Sequence, residues 1–350
     1  MRIGPLLLLA CTALIVRRIA AQENTAPGSL QVPARTLPVP TDVSPELQKI
    51  IAAPRRPGWD KLWKTGEEWR AVANEQAAQT LETLPAMRER LHVTVKPTTI
   101  DGVRAFVVTP DVIPPEHRDK LLIHVHGGCY VLSPGESGTG EAILMAGIGH
   151  FKVISVDYRM PPEAYFPAAL DDAMTVYKSV LKTSNPTNTA VFGTSAGGAL
   201  VLEMMLRARQ LGIPLPGAIA PGTPMADVTK TGDSFYTNEL VDNVLGSYDG
   251  LLAAAAKLYA GGHDLKEPLL SPVYGDMRGF PPAILLSGTR DLFLSNTVRV
   301  QQKLLQAGSV AELLVFEGES HAQYASAPDS PETAAAWKEV SQFFDRHLGR

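Results

Sequence analysis

The chain has 350 residues, of which 45% are hydrophobic and 19% charged, and its formal net charge at pH 7 is −4. This is the composition of a globular protein that can bury a sizeable core, and it excludes the strongly basic balance of a nucleic-acid-binding domain. The length allows two domains, but α/β enzymes often use such a length as one domain with insertions. We find no internal repeat.

Residues 1–21 have the layout of a secretory signal peptide. An apolar run over 6–16 is too short to span a bilayer, and alanines follow at 20–21. Two details keep other interpretations open: arginines at 17–18 follow the run, and the residues before Cys11 loosely resemble a lipoprotein cleavage box. We expect export, periplasmic or secreted, with a lipoprotein as the alternative. We expect no stable membrane span.

Residues 22–90 are predicted to form a leader and then cap helices. The stretch 22–45 is rich in Pro, Thr and Ser, which is typical of an extended segment, and Ser44 is a candidate N-cap for a first helix. A second helix is predicted over Trp59–Leu81, with three of the four tryptophans, at 59, 63 and 69, in it. This aromatic face either caps a substrate mouth or packs against the core, and the sequence allows both.

From residue 91 onward, short apolar stretches alternate with helical patterns. Alternating β and α elements with continuously apolar strands predict a mostly parallel sheet covered by helices on both faces. A catalytic domain over 91–350 would then carry a second cap segment at about 225–280, with a helix near Tyr248–Tyr259. The predicted strands are His92–Val95, Val103–Thr109, Leu121–Val125, Val153–Val156, Ala190–Phe192, Ala218–Ala220, Ala283–Ser287 and Glu312–Phe316.

A G-x-S-x-G sequence at 193–197 joins a predicted strand, Thr189–Phe192, to a helix with one apolar face. A nucleophile at the tip of a strained turn leaves no room for Cβ atoms two residues to either side, which explains glycine at both ends of the motif. The helix N-terminus would aim free N–H groups, notably that of Ala196, at an oxyanion forming beside Ser195. The motif predicts a nucleophilic serine.

A second glycine motif, H-G-G-C at 126–129, follows the predicted strand Leu121–Val125. A Gly-Gly pair just past a strand lets N–H groups turn toward a neighbouring site, although a plain glycine turn explains it equally well in isolation. Next to the serine turn, it predicts the other half of an oxyanion hole. If Cys11 is removed with the signal, Cys129 has no disulfide partner. The candidate oxyanion-hole residues are Gly127, Gly128, Cys129 and Ala196.

Further motifs lie between and around these two: D-Y-R at 157–159, P-P-E at 161–163, F-P-A-A at 166–169 and G-T-S-A-G-G at 193–198. With the H-G-G loop they resemble the hormone-sensitive-lipase-like family (family IV) of bacterial α/β-hydrolase esterases, over roughly residues 100–345. The resemblance is to the subgroup with Thr rather than Asp before the serine. It implies the α/β-hydrolase fold, a mostly parallel eight-stranded sheet flanked by helices, with a helical cap from two segments.

Two departures from the family pattern concern the site. The usual third glycine of the oxyanion run is Cys129, which still supplies an N–H group; in the family, the positions of Gly128 and Cys129 donate. Thr194 lacks the carboxylate of the Asp subgroup, so any hydrogen-bond network built on that carboxylate must differ here.

The resemblance implies an acid and a base that follow the nucleophile in the order Ser, Asp, His. Asp291 comes directly after the predicted strand Ala283–Ser287, and His321 lies in the loop after Glu312–Phe316. Both match the family in position. Asp227, in the loop after another strand, is the alternative acid.

We therefore expect a serine carboxylesterase for short- to medium-chain esters, in which Ser195 attacks, His321 takes the proton and Asp291 orients the imidazole. The expected partner is a small-molecule ester; no cofactor, metal or nucleic acid is expected. The alternatives are a lactonase or amide hydrolase with the same triad, and a non-catalytic ligand-binding relative. The sequence leaves natural substrate, enantiopreference and oligomeric state open, with a homodimer among the states it allows.

Overall fold

The structure, a computed structural model, describes residues 28–349. The predicted signal peptide and the first residues of the leader lie outside this range, so export stays a prediction. Residues 28–38 are exposed and contain no helix or strand.

The sheet has eight strands in the order β1-β2-β4-β3-β5-β6-β7-β8, with β2 antiparallel to both its neighbours and all other pairs parallel. The predicted eight-stranded, mostly parallel sheet is confirmed. The strands are β1 (Val93–Ile100), β2 (Val103–Pro110), β3 (Leu121–Val125), β4 (Lys152–Val156), β5 (Thr189–Thr194), β6 (Ala218–Gly222), β7 (Ala283–Gly288) and β8 (Ala311–Phe316).

Helices cover both faces of the sheet, because side chains of a strand alternate between faces and both faces here are apolar. The helices are α1 (Pro45–Ile51), α2 (Gly66–Leu91), α3 (Gly140–Gly149), α4 (Ala168–Val180), α5 (Ala196–Gln210), α6 (Ser234–Thr237), α7 (Ala253–Ala260), α8 (Leu294–Gln306), α9 (Gln323–Ser326) and α10 (Pro331–His347). In β3, Ile123 belongs to the core on one face, with α4, α5 and α8, and Leu122 to the core on the other, with α3 and α10.

The predicted start of the tryptophan helix was wrong. Helix α2 begins at Gly66, because Thr65 and Glu68 form a reciprocal capping box, and it continues beyond the predicted end to Leu91. Trp59 and Trp63 therefore precede the helix rather than share a face of it. Trp69 is 4% exposed and packs in the core, with its ring centroid 5.0 Å from that of Trp63.

The chain between β6 and β7 contains the predicted second cap segment. Its helix is shorter than the prediction: the backbone turns over Tyr248–Leu252, with non-helical dihedrals at Asp249 and Gly250, before α7 begins. The N–H of Leu251 donates to the carbonyl of Trp59 at 2.9 Å, so this segment contacts the chain ahead of α2. The boundaries predicted for the leader, the cap and the catalytic domain stay predictions.

Candidate active site

The turn between β5 and α5 holds Ser195 in a strained conformation, with φ 63° and ψ −120°. A non-glycine residue in this region of backbone space costs free energy, which a surrounding structure must supply. A Cβ atom at Gly193 or Gly197 would overlap the carbonyl oxygen of Val125. The two glycines therefore let β3, β5 and α5 meet closely enough to form the turn.

Four loops converge at one edge of the sheet, because parallel strands end on the same side. Ser195 follows β5, Thr223 follows β6, Asp291 comes shortly after β7, and His321 comes after β8. All four side chains are buried, with exposed fractions of 6% for Ser195 and 4% for His321. The structure thus places the three predicted catalytic residues, all buried, at the same edge of the sheet.

The imidazole of His321 is fixed by Asp291. Its Nδ1 lies 3.0 Å from Oδ1 of Asp291, and the ring of Phe293 meets it edge-on at 4.8 Å between centroids. Its Nε2 is buried and has no hydrogen-bond partner among the described residues. A histidine whose Nδ1 faces a carboxylate keeps Nε2 available as a proton acceptor, which is the arrangement a general base requires.

The carboxylate of Asp291 receives several donors, which explains how a fully buried charge is retained. Ser287 Oγ donates to Oδ2 at 3.0 Å, and the N–H of Phe293 donates to Oδ1 at 2.8 Å. The hydroxyl of Thr223 also donates to Oδ2 and lies 3.3 Å from Nδ1 of His321. Ser287 and Thr223 were not predicted from the sequence; their only signal is their place at the carboxyl ends of β7 and β6.

Burial and neighbouring charges oppose each other at this pair. Burial acts to lower the pKa of His321, but the charge and hydrogen bond of Asp291, followed by the charges of Asp242 and Glu141, raise it above its usual value. Burial acts to raise the pKa of Asp291, but the charge and hydrogen bond of His321 and the donors around it hold that pKa below its usual value. The acid therefore stays ionised beside the base.

Backbone contacts connect the serine turn to this pair. The N–H of Ser195 donates to the carbonyl of Gly222 at 2.9 Å, and its carbonyl accepts from Met225 at 2.9 Å. Gly222 directly precedes Thr223, which contacts both Asp291 and His321. The chain after β6 thus fixes the serine turn relative to the predicted acid and base.

The predicted oxyanion loop lies against the serine. A Cβ atom on Gly127 would come within 3.3 Å of the Ser195 Cβ, and Gly128 has a φ of 107° that favours glycine. Among the described residues, no backbone–backbone hydrogen bond outside the regular elements uses the N–H of Gly127, Gly128, Cys129 or Ala196. Backbone N–H groups without such a partner are the kind of donor that an oxyanion hole requires.

Cys129 stands where the family usually has the third glycine of the oxyanion run. Its backbone is in the left-handed region, with φ 54°, and so is that of Tyr130, with φ 61°. The thiol is buried, which raises its pKa to about 12 and keeps it protonated and unreactive. The Tyr130 hydroxyl donates to Oε1 of the buried Glu203 at 2.6 Å, and its ring stacks on Tyr259 at 3.9 Å. These contacts with α5 and α7 hold the strained loop in place.

The other candidate residues have structural partners. The ring of His126 stacks on Tyr158 at 4.1 Å, and burial lowers its pKa to about 4, so it is a neutral part of the predicted oxyanion loop. His124 Nδ1 lies 2.9 Å from the Ser155 hydroxyl within the sheet.

Asp227, the alternative acid, is bound elsewhere. It accepts from Arg299 Nη1 at 2.8 Å, from the Tyr274 hydroxyl at 2.7 Å and from the Thr229 N–H at 2.9 Å. No hydrogen bond or ion pair among the described residues joins it to His321.

Thr194, where the Asp subgroup has a carboxylate, pairs with Tyr324 at 2.9 Å between the two hydroxyls. Tyr324 lies in α9, directly after the His321 loop. At this position a neutral contact between two hydroxyls, rather than a carboxylate, joins the serine turn to the helix that follows the His321 loop.

Within residues 28–349, no group of three or more His, Cys, Asp or Glu residues is arranged to hold a metal ion. No helix in that range is long and apolar enough to cross a membrane.

Comparison with known proteins places these features in a family. A model of α/β-hydrolase-fold proteins matches residues 122–325, which span the predicted oxyanion loop, the serine turn and His321. The crystal structure of an esterase designated E25 is 44% identical, with a TM-score of 0.88, and the match covers 91% of this chain and 99% of that one.

Two further relatives extend the comparison. The chain is 31% identical to an acetyl-hydrolase of Streptomyces hygroscopicus over 203 residues, which are 57% of this chain and 67% of the relative. A crystal structure of an esterase from the bacterial hormone-sensitive lipase family is 26% identical, with a TM-score of 0.69, and the match covers 82% of this chain and all of the other.

Proposed function

The chain belongs to the hormone-sensitive-lipase family of α/β-hydrolase esterases and is a carboxylic ester hydrolase, and from this premise we propose that it cleaves short- to medium-chain esters through Ser195, His321 and Asp291. The single observation that carries the proposal is the pairing of His321 Nδ1 with Asp291 Oδ1 at 3.0 Å. It leaves Nε2 buried and without a partner among the described residues, at the same edge of the sheet as the strained turn of Ser195.

In the proposed reaction, Ser195 Oγ attacks the ester carbonyl as Nε2 of His321 takes its proton. The imidazolium then gives this proton to the leaving alcohol, and an acyl group remains on Ser195. Water, deprotonated by the same Nε2, attacks the acyl carbonyl; the bond to Ser195 Oγ then breaks as the imidazolium returns the proton to Oγ, and the carboxylic acid is released. Asp291 stays ionised throughout and stabilises the imidazolium, which agrees with its lowered pKa.

The negative oxygen of each tetrahedral intermediate is held by the N–H groups of Gly128, Cys129 and Ala196, with Gly127 as the residue that brings this loop against the serine. Such donors contribute most when they are already in place before the reaction. The contacts of Tyr130 with Glu203 and Tyr259 supply that preorganisation.

The burial of the proposed catalytic side chains supports the substrate range. Ser195 and His321 are almost fully buried, and the second cap segment closes against Trp59, whose ring would lie 2.7 Å from a Cβ placed on Gly246. Each methylene that fits a pocket contributes about 0.8 kcal/mol, and the gain ends when the pocket is full. An acetyl-hydrolase among the relatives agrees with a short acyl group.

We expect kcat/KM for p-nitrophenyl esters to rise and then fall with acyl length, with its maximum at about two to eight carbons, because longer chains must leave the buried site. The measurement is a series from acetate to palmitate, with a long-chain triglyceride emulsion alongside. A maximum at about twelve carbons or more, or strong activity on the emulsion, would contradict this substrate class.

A further inference from the structure

A second carboxylate, Asp242 in the insert between β6 and β7, contacts both loops that carry the proposed acid and base. Its side chain is fully buried. Oδ2 accepts from the N–H of Leu292, the residue after Asp291, at 2.9 Å, and from the N–H of His321 at 3.3 Å. One oxygen atom thus links the two loops.

The other oxygen of Asp242 is used within the insert. Oδ1 accepts from the N–H groups of Val244 and Leu245, both at 2.9 Å. Four N–H donors therefore face one carboxylate. A carboxylate is the only side chain of this size in which both oxygen atoms accept hydrogen bonds. A charged acceptor also forms stronger hydrogen bonds than a neutral amide oxygen.

The neighbouring residue, Asn243, holds the insert in register with the same region. Its N–H donates to the hydroxyl of Ser320 at 3.1 Å, its Oδ1 accepts from Gln323 at 2.9 Å, and its Nδ2 donates to the carbonyl of Ile50 at 2.9 Å. These contacts fix Asp242 from both sides of the His321 loop.

Three carboxylates that raise the pKa of His321 come from three elements: Asp291 after β7, Asp242 in the insert and Glu141 in α3. Asp242 itself faces Asp291 and His321. On the segment ahead of α2, Arg55 and Arg56 contact the insert through the carbonyls of Leu240 and Asn243, but both residues are exposed. Three negative charges therefore act on the imidazole, and each favours its protonated form.

We propose that Asp242 is a positioning residue, which aligns the Asp291 and His321 loops and whose negative charge strengthens His321 as a base. The inference rests on the proposed function, since it assigns Asp242 a role in the reaction of that same site. Its location in the insert means that the cap segment and the proton acceptor are coupled through one side chain.

The two protonation equilibria set the pH range of the test. Burial, followed by the charge of Asp291, raises the pKa of Asp242 to about 6, against the opposing effect of His321. The pKa of His321 is raised above its usual value, so activity that needs a neutral imidazole falls as pH drops through that raised pKa. Asp242 is ionised over most of that fall.

The experiment is the pH dependence of kcat and kcat/KM on p-nitrophenyl acetate for the wild-type protein and Asp242→Asn. The amide keeps one acceptor oxygen but loses the negative charge. We expect kcat to fall about 10- to 100-fold through misalignment. We expect KM to change little, and the acidic limb of kcat/KM to move to lower pH by about one pH unit because a negative neighbour is gone.

Asp249→Asn is the matched control, because it removes the same charge from the same insert at a side chain that is 67% exposed. Its acidic limb should stay at the wild-type pH. If Asp242→Asn does not fold, Asp242→Glu replaces it: this variant keeps the charge, so its limb should stay at the wild-type pH while kcat falls.

The outcomes separate this inference from the proposed function. If the acidic limb of kcat/KM in folded Asp242→Asn stays at the wild-type pH, the positioning role is overturned and the proposed function is left intact. The same follows from a limb that moves by about one pH unit in Asp242→Glu, where the charge is kept. A wild-type profile with no acidic limb overturns the proposed function, and this inference with it.

Discussion

Replacing Ser195 with alanine lowers kcat for ester hydrolysis by about 10⁴- to 10⁶-fold, and replacing His321 with alanine lowers it by a similar factor. The physical reason is that the two side chains act as one unit: without the base at Nε2, the serine hydroxyl is a weak nucleophile, and without the hydroxyl the base has no proton to accept. The double replacement Ser195→Ala/His321→Ala should therefore cost little more than either single one.

The measurement is kcat and KM on p-nitrophenyl acetate for the wild type, both single variants and the double variant, with thermal unfolding to show that each is folded. His124→Phe is a suitable companion, because His124 is fully buried within the sheet, with Nδ1 2.9 Å from the Ser155 hydroxyl, and is not the proposed base. Near-normal turnover by folded Ser195→Ala, or losses that simply multiply in the double variant, would contradict the assignment.

Asp291→Asn lowers kcat by about 10³- to 10⁴-fold, whereas Asp227→Asn leaves kcat within about tenfold of the wild type. An amide at position 291 still fits the donors around it but favours the wrong tautomer of His321, whose Nδ1 lies 3.0 Å from Oδ1 of Asp291. Asp227 has no such contact; it binds Arg299 and Tyr274.

The two variants also differ in stability. Asp227→Asn leaves the Arg299 guanidinium without its buried carboxylate, so the free energy of unfolding should fall by about 3 kcal/mol. The measurement is the free energy of unfolding in denaturant for both variants, together with their kcat. An inactive but folded Asp227→Asn together with an active Asp291→Asn would make Asp227 the acid.

The sheet and the serine turn could be predicted from the sequence because their signals are local, whereas Asp291 and His321 were assigned through the family resemblance. Strands β5 and β7 are buried along their whole length and therefore appear as continuous apolar runs. The serine motif and the loop at 291 each follow such a run, and the loop at 321 follows β8, which is only partly buried. Their place at one edge of the sheet follows from the parallel strand order.

The start of α2 was missed although its signal was present. Thr65 and Glu68 have the spacing of a capping box, but the three tryptophans gave a competing apolar pattern that extended the predicted helix backward. The sequence allowed these tryptophans either to cap the site or to pack in the core, and the structure places them in different environments. Trp69 is in the core, and Trp59 packs on the second cap segment.

Asp242 and Thr223 could not be predicted, because their roles depend on contacts between segments far apart in the chain. Asp242 is 50 residues from Leu292 and 79 residues from His321 in sequence. In the sequence it is one acidic residue in an insert with no strand or helix pattern around it. Only the folded chain shows that its carboxylate faces four N–H groups.

The central claim is that Ser195 is the nucleophile that carries the acyl group. The most direct measurement is mass spectrometry of the protein after inactivation by a fluorophosphonate, which phosphonylates an activated serine. We predict one adduct per chain, mapped to the peptide that contains Ser195, absent from Ser195→Ala and formed in step with the loss of esterase activity. Complete inactivation with the adduct on another residue, or full esterase activity after Ser195 is phosphonylated, would contradict the claim.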